Sequence, residues 1–196
     1  MATEAGICNS ALSKLGNNRI NSLTEGTPAA NLCLEQYGKL RDHLLRSHDW
    51  NFAASRVKLA QLSSTPAFGY DYQYALPSDW MRTISVHPGD RPMGQITDYV
   101  TESTEAEGRV LRTGYRDAYL RYVRKVEDPN VMDPAFREVL AWRLAMELAV
   151  PLAKSGALRD RMAAGFEDAL AIAKSIDGQD DSPQALPDGS WVIGRH

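Results

Sequence analysis

Cysteine is scarce in this sequence, with two residues in 196, Cys8 and Cys33. Each falls inside an apolar helical pattern, so a disulfide framework is not expected and a reducing cytosol is the natural setting for assembly. The N-terminal Met-Ala-Thr-Glu-Ala lacks the basic and apolar regions of a secretion signal. No apolar run approaches the roughly 20 residues that cross a bilayer. The longest stretch, Val139–Ala153, is broken by Arg143, Glu147 and Pro151, and a soluble chain is expected. Positive charge is not in surplus either. Lys and Arg number 22 against 25 Asp and Glu, a net charge of −3, unlike domains that live by gripping phosphates. That balance still allows DNA to pass close by without being held.

Motifs of chemistry are missing as well. His43 and His48 stand outside any His-Glu-x-x-His pattern, and the cysteines have no close partner in sequence, so no zinc site is expected. The 14 glycines form neither a Walker loop nor a dinucleotide fingerprint, and no Gly-x-Ser-x-Gly occurs. His48-Asp49 is a tempting pair, but neighbouring residues at a helix end point in different directions. Its simpler reading is a helix terminus with histidine at the negative end of the dipole. Glu25, Asp49, Asp71 and Asp79 could supply paired carboxylates, as acids in most proteins could. No catalytic, metal-ligating or cofactor-binding residue is therefore assigned, no cofactor is expected, and the chain is read as a non-enzyme.

What is present is an ordered series of helix and strand signals. With 43% hydrophobic residues the chain can bury a core. Thr3 caps a first helix over 3–16, with Ile7, Ala11, Leu12 and Leu15 on one face and Gly16 at its end. Thr27-Pro28 opens a second helix to about Ser47, where Ala30, Cys33, Tyr37, Leu40 and Leu44 form one stripe. Arg41, Asp42 and Arg46 fall off that seam and are expected to be solvated or at a subunit contact. From Trp50 to Val126 the helical period gives way to β-like stretches. These are Tyr70–Leu76, Met81–His87, Gln95–Glu102, Arg109–Thr113 and Ala118–Val126, divided by turns such as Pro77-Ser78-Asp79 and Glu107-Gly108. Five short strands predict a small antiparallel sheet or a partial barrel. Arg112, Arg116, Arg121, Arg124 and Lys125 interleave with Tyr115, Tyr119 and Tyr122. That pattern suits a solvated basic face, an acidic neighbour in an oligomer, or a surface for single strands.

Asp133-Pro134 starts a third helix, apolar on nearly every side and so expected to be buried on several faces, with Pro151 kinking or ending it. A fourth runs from about Leu158 to Ile176, with Met162, Phe166, Ala169, Ala173 and Ile176 on its stripe. The short link predicts antiparallel packing of the two. The fold class is thus α+β: a bundle of about four helices from 1–52 and 128–176, a β-rich insertion over 53–127, and an extended arm over 177–196. The arm's apolar tip follows a linker-like stretch. Trp191, Val192, Ile193 and Arg195 are therefore expected to dock on another subunit or partner.

From Ile7 onward the chain resembles the tail tubular protein A family, the head-to-tail adaptors of short-tailed phages. The residues that carry the likeness are Asn9, Ala11-Leu12, Leu15-Gly16, Ile20, Ser22-Leu23-Thr24-Glu25, Ala30, Cys33, Tyr37, Arg41-Asp42, Leu44-Leu45 and Ser47-His48-Asp49-Trp50-Asn51-Phe52-Ala53. Tyr72-Gln73-Tyr74-Ala75-Leu76-Pro77-Ser78-Asp79-Trp80 follows. The likeness covers about the first 85 residues and becomes general through the later helices. It implies a structural virion protein, made in the host cytoplasm and placed in the phage neck. Its subunits would form a homo-oligomeric, dodecameric ring between the portal protein and the tail nozzle protein. DNA would thread the lumen without specific binding, and no membrane would be involved. The family-like elbow Trp50, Asn51 and Phe52 would serve either as interface anchors or as core residues joining helix to sheet. The alternative function is a virion-carried peptidoglycan hydrolase.

Overall fold

The computed structural model describes residues 1–89 and 94–180. Among them are four α-helices and two small antiparallel sheets, an α+β fold.

Each helix begins where a short polar side chain can satisfy free backbone N–H groups. α1 (Glu4–Lys14) starts at Thr3, whose hydroxyl accepts the Gly6 N–H at 3.0 Å. It ends at Gly16, which takes the left-handed conformation at φ 68° and lets Asn17 N–H reach back to the Leu12 carbonyl. Asn9, on the inner face, clamps the following loop by exchanging two hydrogen bonds with the Ile20 backbone, at 2.9 and 2.8 Å. α2 (Pro28–Ser47) is capped by Thr27 and α3 (Pro134–Ala153) by Asp133, each with proline in the first turn. Pro151 cannot donate a helical hydrogen bond, and α3 stops two residues later at Ala153, capped by Lys154 in the left-handed region at φ 51°. α4 (Gly156–Asp180) follows at once, with Ser155 Oγ accepting the Leu158 N–H at 3.2 Å.

α3 is the axis of the bundle. Phe136, Val139, Leu140, Leu144 and Leu148 are buried, and α1, α2 and α4 all pack against it. α3 and α4 form an antiparallel hairpin. The Trp142 ring lies over Gly165 and Arg143 over Phe166, while Asp177 at the far end of α4 reaches the elbow that packs on Phe136.

Between α2 and α3 the chain makes a short 3-10 turn (Asn51–Ala53) and seven strands. They are β1 (Ala54–Lys58), β2 (Ala60–Gln61), β3 (Tyr72–Ala75), β4 (Trp80–His87), β5 (Tyr99–Thr104), β6 (Gly108–Thr113) and β7 (Tyr119–Arg124). One sheet has the order β1-β7-β4 and the other β2-β3-β6-β5. Leu120, Tyr122 and Val86 of the first meet Tyr74 and Leu111 of the second, with Leu59, Ile96 and Ala118 filling in. β7 serves two cores, since Val123, one step further along, is part of the bundle's interior.

Several expectations change. Two separate sheets replace the single sheet or barrel, and β1 and β2 were not foreseen because Ala-Ser-Arg-Val-Lys lacks an apolar alternation. β1 is an edge strand with an exposed second half, so burial imposes little pattern on it. The strand expected from Gln95 begins only at Tyr99. α4 continues past Ile176 to Asp180, so residues 177–180 are helix and not the start of an extended arm. The tertiary hydrogen bonds of Asp177 outweigh the poor helix propensity of Gly178. Ile176 faces outward, 41% exposed, and the inner stripe of α4 runs through Leu158, Met162, Phe166, Ala169, Leu170 and Ala173. Arg41, expected in solvent or at a subunit contact, is 5% exposed within the single chain. The segment after β7 brings Glu127 to its guanidinium (3.3 Å), beside Asp42 (2.7 Å).

Candidate functional site

The elbow residues sit where α2, α3, α4 and the first sheet converge. Trp50 is buried and its indole N–H donates to the Leu44 carbonyl at 2.9 Å, which closes α2. Its ring meets Phe136 edge to face at 5.1 Å, and Phe52 meets the same phenyl at 5.0 Å. These are core contacts joining helix to sheet, one of the two roles expected of them. Asn51 donates its backbone N–H to Asp177 Oδ1 at 2.9 Å and its side-chain amide to the Asp177 carbonyl at 2.7 Å. His48 completes the clamp with Nε2 3.0 Å from Asp177 Oδ2. A carboxylate can only accept, so Nε2 carries the proton. Asp49 turns the other way and pairs with Arg82 on β4. Three polar anchors, His48, Asp49 and Asn51, thus tie the end of α2 to α4 and to the sheet.

This constellation resembles part of a catalytic set, since His48 and Asp177 form a histidine–carboxylate pair. Among the described residues no hydroxyl or thiol is hydrogen-bonded to His48. Ser47, the nearest hydroxyl in sequence, donates to the Leu44 carbonyl at 2.8 Å. The arrangement positions backbone; it does not present a reactive oxygen. Asp177 is the member of this clamp that sequence reasoning missed, because its signal was hidden in a Gly- and Asp-rich stretch that reads as loop.

The second feature is a cleft of about 680 Å³ on the outer face of the first sheet. Strand register explains its composition. Arg56, Arg121 and Ser85 are cross-strand neighbours in one row, and Lys58, Tyr119 and His87 in the next. Directly opposed residues share a face, so these six side chains project together while Val86 and Leu120 point to the other sheet. Lys58 is 2.9 Å from Asp117, and its ammonium lies 5.3 Å from the centre of the Tyr119 ring. Hydrogen bonding to Asp117 and then to Tyr119 raises it above the ordinary lysine value. His87 Nδ1 lies 2.8 Å from the Gly94 carbonyl, which can only accept, and the Ser85 hydroxyl fills Nε2 at 3.0 Å.

The rest of the basic segment is not a single solvated face. Arg112 pairs with Glu102 at 2.6 Å, and Lys125 with Glu127 at 2.7 Å. Tyr122 turns inward to Asp79, with its hydroxyl at 3.0 Å, and burial raises its phenol above the usual range. Among the described residues no group of three or more His, Cys, Asp or Glu could hold a metal ion. No described helix is long and apolar enough to cross a membrane. Cys8 and Cys33, remote in sequence, meet in the bundle core as free thiols; hydrogen bonding between them and burial push the Cys8 thiol far up. Trp191, Val192, Ile193 and Arg195 lie outside the described residues.

Compared with known proteins, the chain matches no family model and no curated protein.

Proposed function

We propose that the chain is a structural subunit of a short-tailed phage neck, one copy of an adaptor ring between portal and tail nozzle. The observation that carries this reading is where the family-like residues meet. Arg41, Leu44 and the run from Ser47 to Ala53 gather at the joint between bundle and sheets, where Leu44 and Trp50 close α2, Asp49 pairs with Arg82 on β4 and Arg41 pairs with Glu127 after β7, while Asn9 clamps the loop that leads into α2. A joint of that kind fixes the relative pose of two parts, which a ring subunit transmitting contacts between two partners requires. The apolar surplus fits as well. Leu34, Val150 and Ile172 (61% exposed) stand on the outside of α2, α3 and α4, where neighbouring copies would cover them. Ring closure needs such head-to-tail contacts between different faces of one subunit. In this reading DNA runs through the lumen, and the Trp191–Ile193 tip docks on a neighbour or the portal.

The test is reconstitution with portal particles. The full chain should co-sediment with them and allow nozzle protein to bind, and a chain truncated after Asp180 should keep its fold and lose docking affinity. Truncation there spares Asp177, whereas cutting after Ile176 would also release the elbow. A full chain that leaves portal particles bare would contradict the proposal.

A further inference from the structure

The cleft on the β1-β7-β4 sheet has no part in the adaptor reading, and its electrostatics are unusual. Arg56 and Arg121 are directly paired across strands, an arrangement of like charges that weakens a sheet. Among the described residues the one ion pair in the cleft is Lys58 with Asp117, so neither arginine has a carboxylate to offset it. Arg121 Nε, moreover, is shielded from solvent without an acceptor among those residues. A shielded donor left unsatisfied and two opposed guanidinium groups both destabilise the free protein. Both are relieved by one event, the arrival of an anion between the strands.

The charge count specifies which anion. Arg56, Arg121 and Lys58 carry three positive charges and Asp117 removes one, leaving a local charge of two in a chain whose net charge is −3. Two planar guanidinium forks facing one space suit a tetrahedral oxyanion with several acceptor atoms better than a carboxylate, which one fork already saturates. The Lys58 ammonium, 5.3 Å from the centre of the Tyr119 ring, already stands over one face on which a base would stack. We propose that this cleft binds a dianionic phosphate, either inorganic phosphate or a phosphomonoester, between Arg56 and Arg121. The proposal does not depend on the adaptor reading.

The experiment is a titration of the full chain, followed by melting temperature and by ³¹P line width, with four probes at matched ionic strength. These are inorganic phosphate, adenosine monophosphate, acetate, and a short DNA duplex without terminal phosphates. Phosphate and the monoester should raise the melting temperature saturably, while acetate and the diester-only duplex should not. R121Q should melt no lower than the parent without ligand and should bind phosphate about tenfold or more weakly. R56Q, at an exposed position, should show the same loss and guards against a folding defect in R121Q. Absence of a saturable response to phosphate would overturn the proposal. So would an undiminished response in both variants, or a duplex that binds as tightly as the monoester.

Discussion

The helical bundle and the paired sheets differ in what they leave facing outward. The side chains that α3 buries are all apolar, and the bundle exposes apolar ones too, at Leu34, Val150, Ile172 and Ile176. The sheets bury tyrosines whose hydroxyls are bonded, Tyr74 to the Tyr115 carbonyl and Tyr122 to Asp79, and beside the exposed Phe68 and Tyr115 they gather charge on one face, at Arg56, Lys58 and Arg121. One chain therefore carries two kinds of exposed surface. The apolar one should be insensitive to salt and the basic one weakened by it, because exposed charges are screened within about 10 Å at 0.1 M ionic strength. β7 holds the halves together by giving Val123 to one core and Leu120 to the other.

The largest effect should come from the point where the halves meet. Phe136→Ala removes the ring that Trp50 and Phe52 both contact and should cost about 3–5 kcal/mol in chemical denaturation. The helical signal and the tyrosine signal of the sheets should shift together. A variant that loses helix first and keeps its sheets would break the account of β7 as a shared element. Next, Gly165→Val pushes a branched side chain against the Trp142 ring. Overpacking should outweigh the gain in helix propensity, for a net loss of about 2 kcal/mol seen in thermal melts.

Asp177→Ala should follow at about 1–2 kcal/mol, by leaving the Asn51 N–H and His48 without their acceptor. Amide exchange at Asn51 should accelerate while exchange in the middle of α3 stays slow. The smallest effect is a matter of pH. Glu127 is held below its ordinary value of 4.5, first by hydrogen bonding to Lys125 and by its charge, then by Arg41. A depressed carboxylate contributes stability above its unfolded value and loses it as pH falls through the folded one. Lys125→Met should therefore flatten the acid side of the curve of melting temperature against pH, by lowering it slightly at pH 7 and leaving the strongly acid end unchanged.

Much of the bundle was legible in the sequence because its signals are local. Thr3, Thr27-Pro28 and Asp133-Pro134 are caps that act within three residues, and a helical stripe needs only its own period. The sheets were half legible. β3, β4, β6 and β7 lie within stretches that turn residues set off on either side, while β1 shows its partner a backbone and the solvent the side chains of its second half. What stayed hidden depends on contacts distant in sequence. The burial of Arg41 requires Glu127, the thiol pair joins α1 to α2, and Asp177 acquires its role from His48 and Asn51, over a hundred residues earlier. The cleft shows the same limit, since Arg56 and Arg121 become a pair only through the register of β1 on β7.

The adaptor reading turns on whether these subunits assemble with closed symmetry. Electron microscopy of the full chain, alone and bound to portal particles, measures this directly. A ring of twelve copies around an open lumen is the expected image. Monomers that decorate the portal singly or not at all, at any concentration, would contradict it.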